Sequence, residues 1–138
     1  MGRGDEAGRS AQPEPETRHP SHRVVEDYLY DILTAISKIE RYMAGVTEGQ
    51  FRQDSEKQDA VSRRLQIIGE AAKYIPRTLR VRHPEIPWKA IVGMRNILTH
   101  AYHDEDPGLL WRTVQTRLSS LEEAVQDLLD RVAKSGGD

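Results

Sequence analysis

The chain has 138 residues, a net charge of −2, 37% hydrophobic and 30% charged residues, and few aromatics: two Trp, five Tyr and one Phe. That suits one small soluble domain with a modest core, expected in the cytoplasm, because no run of about 18 apolar residues could span a membrane and no apolar stretch with a cleavage site follows the N-terminus. Cysteine is absent, which excludes disulfides, zinc–thiolate sites and thiol nucleophiles.

The small net charge hides an asymmetry. Residues 1–22 sum to −1 and residues 23–62 to −3. Residues 63–103 carry eight Lys/Arg against two Asp/Glu, a net +6, and three of the five histidines. Residues 104–138 return to −4. A local positive field of this kind attracts an anionic partner even on a slightly acidic molecule, although clustered surface charge would look the same in sequence.

In chain order, residues 1–22 are rich in Gly, Pro, Ser and charge and have no apolar period. They are expected to be a disordered tail, followed by a helical domain over 23–134. Val25, Leu29, Ile32, Ile36, Ile39 and Met43 recur at helical spacing and predict an amphipathic helix over 23–44, ended by Gly45. Asp54 or Ser55 can cap a second helix, whose stripe is Ala60, Val61, Leu65, Ile68, Ala72 and Ile75 and which Pro76 stops. A short helical turn fits 77–82, and His83-Pro84-Glu85-Ile86 suits a bent connection. Pro87 suits the first turn of a third main helix, over 87–100 or slightly beyond. Asp106-Pro107 reads as cap and first residue of a fourth, with Leu110, Val114, Leu118, Leu121, Val125, Leu128 and Val132 as its stripe. No alternating strand pattern occurs. The expected fold is all-α: an up-and-down antiparallel bundle of four main helices with one possible extra short helix.

The segment able to carry chemistry is 87–103. On a helical wheel of about 100° per residue, Met94, Ile97, Leu98 and Ala101 share the core-facing arc. His100, Asn96 and Lys89 fall on the opposite side, Arg95 lies at the edge of the apolar arc, and Tyr102 comes almost above Arg95. Imidazole exchanges protons near neutral pH, guanidinium grips phosphate through two hydrogen bonds, and an amide four residues before the histidine can orient its ring. RNA brings its own nucleophile, the 2′-hydroxyl, so such a set suffices in outline for cleavage without metal. Spacing alone does not separate this from a solvated helix face. His100, His103, Asp104 and Asp106 also offer nitrogen and oxygen ligands, but no complete metal set is readable, and none is expected.

Arg95-Asn96-Ile97-Leu98-Thr99-His100-Ala101-Tyr102 fits the pattern Arg-x4-His-x-Tyr, and Ile68-Gly69-Glu70-Ala71, Ile86-Pro87-Trp88 and Gly93-Met94 precede it in fixed order. In this ordered set the chain resembles the HEPN superfamily, specifically the HepT-like toxins of MNT–HEPN toxin–antitoxin systems, over about residues 23–132. The resemblance implies a helical homodimer acting as a metal-independent endoribonuclease with no cofactor. Arg95 and His100 would be catalytic, Asn96 would assist, and the products would be a 2′,3′-cyclic phosphate and a 5′-hydroxyl. It also implies a partner: a nucleotidyltransferase antitoxin that attaches AMP to Tyr102. Arg63, Arg64, Lys73, Arg77, Arg80, Arg82 and Lys89 would gather RNA by its phosphates. The rival expectation is a non-catalytic HEPN subunit that binds such a nucleotidyltransferase without cutting RNA.

Overall fold

The first apolar stripe becomes helix α1, His22–Met43, with Val25, Leu29, Ile32, Ala35, Ile36 and Ile39 buried along one side. A computed structural model describes residues 22–94 and 106–136. The expected tail, apart from its last residue His22, lies outside the described residues. Gly45 turns the chain at φ +74°, a left-handed conformation that costs glycine little, and the Val46 N–H donates to Met43 O at 3.0 Å.

Helix α2, Glu48–Arg52, was not expected. A reciprocal cap makes it: Thr47 Oγ1 accepts from the Gln50 N–H at 3.1 Å, and Gln50 Oε1 accepts from the Thr47 N–H at 2.9 Å. Its one buried residue, Phe51, reaches the core and meets the Trp111 ring at 5.9 Å between centroids.

Helix α3, Ser55–Ala72, is capped by Asp54, whose Oδ1 accepts from the Lys57 N–H at 3.0 Å. It stops three residues short of the end of its apolar stripe. Proline disfavours helical backbone in the residue before it, so Pro76 keeps Ile75 out of the helix. The chain tightens into i to i−3 bonds, Tyr74 N–H to Ala71 O at 3.0 Å and Ile75 N–H to Ala72 O at 3.1 Å, and Ile75 remains buried.

The turn expected over 77–82 is a single-turn helix, α4, Arg77–Arg80. Helix α5, Trp88–Val92, begins the third main helix, with Pro87 at its cap position. The expectation of an uninterrupted helix from 87 is corrected at Gly93, where ψ opens to −5°. Helical backbone resumes at Met94, and residues 95–100 lie outside the described residues. Helix α6, Pro107–Gly136, starts where expected, with Asp106 Oδ1 accepting from the Leu109 N–H at 3.2 Å.

Described residues form helices and turns with no strand. The Lys57 ammonium donates to Tyr42 O at 3.0 Å, pinning the start of α3 to the end of α1, while Tyr28 near the start of α1 stacks on Tyr74 just past α3. The two helices therefore run antiparallel. Helix α1 packs along both α3 and α6, and α5 packs on α3. One continuous core joins Leu29, Ile32, Leu65, Ile68, Ile91, Leu121 and Leu128. Each such side chain contributes about 1.5–3 kcal/mol of burial, before the entropy of ordering the chain.

Candidate functional site

Local packing fixes both shoulders of the motif segment. On one side, α5 buries Trp88, Ile91 and Met94, and Met94 is 2% exposed immediately before Arg95. The Trp88 indole N–H donates to the carbonyls of Arg80 and His83 at 3.1 and 3.0 Å, which docks α5 against the preceding connection. On the other side, Asp106 caps α6 and Leu110 is buried. Arg95, Asn96, His100 and Tyr102 themselves lie outside the described residues, as do His103 and Asp104.

The basic residues expected to gather RNA divide into two groups. Arg63, Lys73, Arg77, Arg82 and Lys89 are exposed, and none of them is drawn into the core. Arg64 is half-buried, and its Nε is sealed from solvent with no hydrogen-bond partner among the described residues. Arg80 is turned inward. Its Nε donates to Ile75 O at 2.9 Å, and one Nη donates to Ala72 O at 2.9 Å and Lys73 O at 3.2 Å. These are carbonyls where α3 ends and regular helical bonding stops, although Ala72 O also accepts from the Ile75 N–H, so Arg80 acts as a side-chain cap of that helix. Burial lowers its pKa from the usual arginine value.

A second feature was not read from the sequence. Between α1 and α3 lies a cleft of about 470 Å³. Ile67 and Ala71 form its apolar part, Tyr28 and Tyr74 close one end, and Asp31, Arg63, Gln66 and Glu70 supply polar groups. The two tyrosine rings stack with centroids 4.8 Å apart and planes 18° from parallel. The Lys73 ammonium lies 5.5 Å from the Tyr74 ring centre. Burial, then the neighbouring Tyr74, Asp31 and Asp27, raise the Tyr28 pKa, and burial followed by Asp27 raises that of Asp31. The only sequence signal was a tyrosine at the margin of each apolar stripe. Pairing them requires knowing that α1 and α3 lie side by side.

A further cluster joins the 81–87 connection to α6. His83 Nδ1 lies 3.0 Å from Glu85 Oε2, its Nε2 lies 2.7 Å from Asp127 Oδ2, and Arg131 Nε donates to the same Asp127 oxygen at 2.9 Å. This cluster braces the turn that delivers α5. It leaves the exposed cations of the basic island unpaired with it.

Among the described residues no helix is long and apolar enough to cross a membrane.

A family model described as Ribonuclease HepT-like matches residues 32–128 of the chain. A protein of Thermococcus cleftensis named "Probable ribonuclease HepT" is 43% identical over 103 residues, covering 75% of this chain and 94% of that one. The Methanocaldococcus jannaschii protein named "Putative RNase MJ1380" is 37% identical over 106 residues, covering 77% of this chain and 97% of that one. A longer protein of the same organism, named "Gamma-glutamylcyclotransferase and putative RNase MJ0434", is 39% identical over 111 residues; 80% of this chain matches half of its length. No solved structure matches.

Proposed function

Because this chain belongs to the HepT-like ribonuclease family, we propose that it is an endoribonuclease that cuts RNA without metal, through Arg95 and His100. The observation that carries this reading is the run Arg95 to Tyr102, which follows directly on the anchored Met94 inside a segment of net charge +6. In the proposed reaction His100 takes the proton of the 2′-hydroxyl, and the freed oxygen attacks the adjacent phosphorus. Arg95 stabilises the negative charge that gathers on the phosphoryl oxygens. The bond to the 5′-oxygen breaks, that oxygen is protonated, and the products are a 2′,3′-cyclic phosphate and a 5′-hydroxyl. Asn96 orients the imidazole. No step calls for a Lewis acid, since the nucleophile is supplied by the substrate and the charge by a guanidinium.

The exposed Arg63, Lys73, Arg77, Arg82 and Lys89 would hold the phosphate backbone, whereas Arg80 serves α3. We further propose that the chain works as a homodimer and as the toxin of a toxin–antitoxin pair. A partner nucleotidyltransferase would attach AMP to Tyr102, placing a negative phosphodiester beside Arg95 and His100 and so filling the site that RNA needs.

The test is cleavage of RNA in EDTA by wild type, Arg95→Ala and His100→Ala. Loss of about 10²-fold or more in both variants, with a cyclic phosphate terminus in the wild-type product, supports the reading. Equal activity in wild type and His100→Ala removes the histidine from the mechanism. Coexpression with a cognate nucleotidyltransferase tests regulation: a mass gain of one or more AMP units on Tyr102 with loss of cleavage supports it. A stable complex with no RNA cleavage by either state favours the non-catalytic subunit.

A further inference from the structure

The cleft between α1 and α3 is not explained by the chemistry of Arg95 and His100. Its lining is more polar than the centre of a seat for a second protein surface. The large apolar side chains most exposed among the described residues are Tyr30 and Val81, and neither lines it. A subunit seat would present an apolar, charge-depleted centre, whereas this cleft carries Asp31, Arg63 and Gln66 in its wall. At about 470 Å³ it has the volume of a small-molecule site.

Its chemistry matches one kind of occupant. The stacked Tyr28 and Tyr74 rings form an aromatic platform, each ring only partly covered. Ile67 offers an apolar wall. Gln66 carries both a donor and an acceptor, and Asp31 carries acceptors, the groups that meet the edge of a base. Arg63 within the cleft and Lys73 beside Tyr74 supply positive charge toward its two ends, set against the acidic Asp31 and Glu70 in its wall. Aromatic faces flanked by cations and hydrogen-bonding side chains are how proteins hold unpaired nucleotides. A duplex keeps its base faces stacked and cannot present one here.

We propose that this cleft seats an unpaired nucleobase of the RNA, stacked on the Tyr28–Tyr74 pair, with Arg63 and Lys73 on the flanking phosphates. The inference rests on the ribonuclease reading and deepens it by naming the substrate class: single-stranded RNA. Helix α3 forms one wall of the cleft and also packs against α5, the helix that precedes Arg95 in the chain.

The test uses the full chain and a labelled 2′-O-methyl RNA of about ten nucleotides, which is bound but cannot be cut because its 2′-oxygen is blocked. A matched oligonucleotide lacks bases at central positions. Wild type should bind the abasic version about tenfold more weakly. Tyr74→Leu should bind the intact oligonucleotide about tenfold more weakly and show no further loss with the abasic one. Tyr74→Phe, which keeps the ring, should behave as wild type. If Tyr74→Leu fails to fold by circular dichroism, Tyr28→Leu and Gln66→Ala provide the same comparison. An unchanged affinity and an unchanged abasic penalty in the folded variants overturn the base seat, as does failure of wild type to bind the oligonucleotide. A drop in molecular mass by light scattering in Tyr74→Leu also overturns it, since the cleft would then be a subunit contact. Cleavage of unmodified RNA is measured in parallel. Normal cleavage with unaltered binding removes the base seat and leaves the ribonuclease, whereas base-dependent binding without cleavage supports the seat and removes the ribonuclease.

Discussion

His83 Nε2 lies 2.7 Å from Asp127 Oδ2, and this contact fastens the connection before α5 to the long helix α6. The other ring nitrogen faces Glu85 at 3.0 Å. A neutral imidazole has one N–H and can donate to only one carboxylate, so the arrangement is satisfied only when the ring is protonated. Burial opposes that charge, but the hydrogen bonds to Glu85 and Asp127 outweigh it and raise the His83 pKa above its ordinary 6.5. Arg131 and then His83 lower the Asp127 pKa below 3.8, and His83 lowers that of Glu85 below 4.5.

The pH dependence follows from these directions. A raised histidine pKa gives stability that is fully present below 6.5 and is lost as pH rises through the folded value. The lowered carboxylate values give stability that is present above 4.5 and is lost as pH falls through theirs. The cluster therefore contributes most between those limits. Thermal melts at pH 5.5 and 8.5 should show wild type losing roughly 1–3 °C more than His83→Gln on going to the higher pH. An equal change in both proteins would show that the cluster does not stabilise the fold.

Gly45 should resist substitution for a backbone reason alone. A Cβ placed there meets nothing within 4 Å, so crowding is not the issue. At φ +74° an L side chain is strained, and Gly45→Ala should cost about 1 kcal/mol. Gly45→Asn should cost less, because asparagine tolerates the left-handed region better. Urea unfolding midpoints check the order Gly, Asn, Ala; an Ala variant as stable as wild type contradicts the argument.

Much of this fold can be read in the chain because three helices bury long stripes at helical spacing. Leu29, Ile32 and Ile36 in α1, or Leu121, Val125 and Leu128 in α6, leave no other consistent period. Asp54 and Asp106 mark helix starts by their own chemistry. Helix α2 escapes because five residues cannot show a period, and only the Thr47–Gln50 spacing betrays it. Arg80 looked like one more surface cation, since nothing local says that its guanidinium folds back onto carbonyls five to eight residues earlier. The cleft was hidden for a third reason: Tyr28 and Tyr74 meet only through tertiary packing. The roles of Arg95 and His100 come from family likeness and from the reactivity of their side chains.

Arg77 and Arg80, three residues apart in the same short helix, should separate in experiment. Arg77 is exposed, so Arg77→Ala should leave the unfolding midpoint unchanged. If it contacts an RNA phosphate, the variant should weaken binding and reduce the slope of log affinity against log salt by about 0.7. A titration of single-stranded RNA from low to moderate salt checks this. An unchanged slope would place Arg77 outside the RNA path.

Arg80 should show the opposite pattern. Its Nε and one Nη hold three carbonyls where α3 ends: Ile75 O is part-buried, Ala72 O also accepts from the Ile75 N–H at 3.1 Å, and Lys73 O lies at the exposed surface. Removing the guanidinium takes the donor from the part-buried Ile75 carbonyl and the second donor from Ala72 O, a loss of about 1–2 kcal/mol for Arg80→Ala. Lysine restores the charge but is a single-point donor and cannot serve carbonyls in three directions, so Arg80→Lys should recover less than half of that loss. Urea denaturation measures the stability term, and RNA affinity per folded molecule measures the rest. If Arg80→Ala is as stable as wild type but binds RNA more weakly, the guanidinium belongs to the nucleic-acid face. If stability falls and affinity holds, it is the clasp that closes α3 against the turn leading to Trp88.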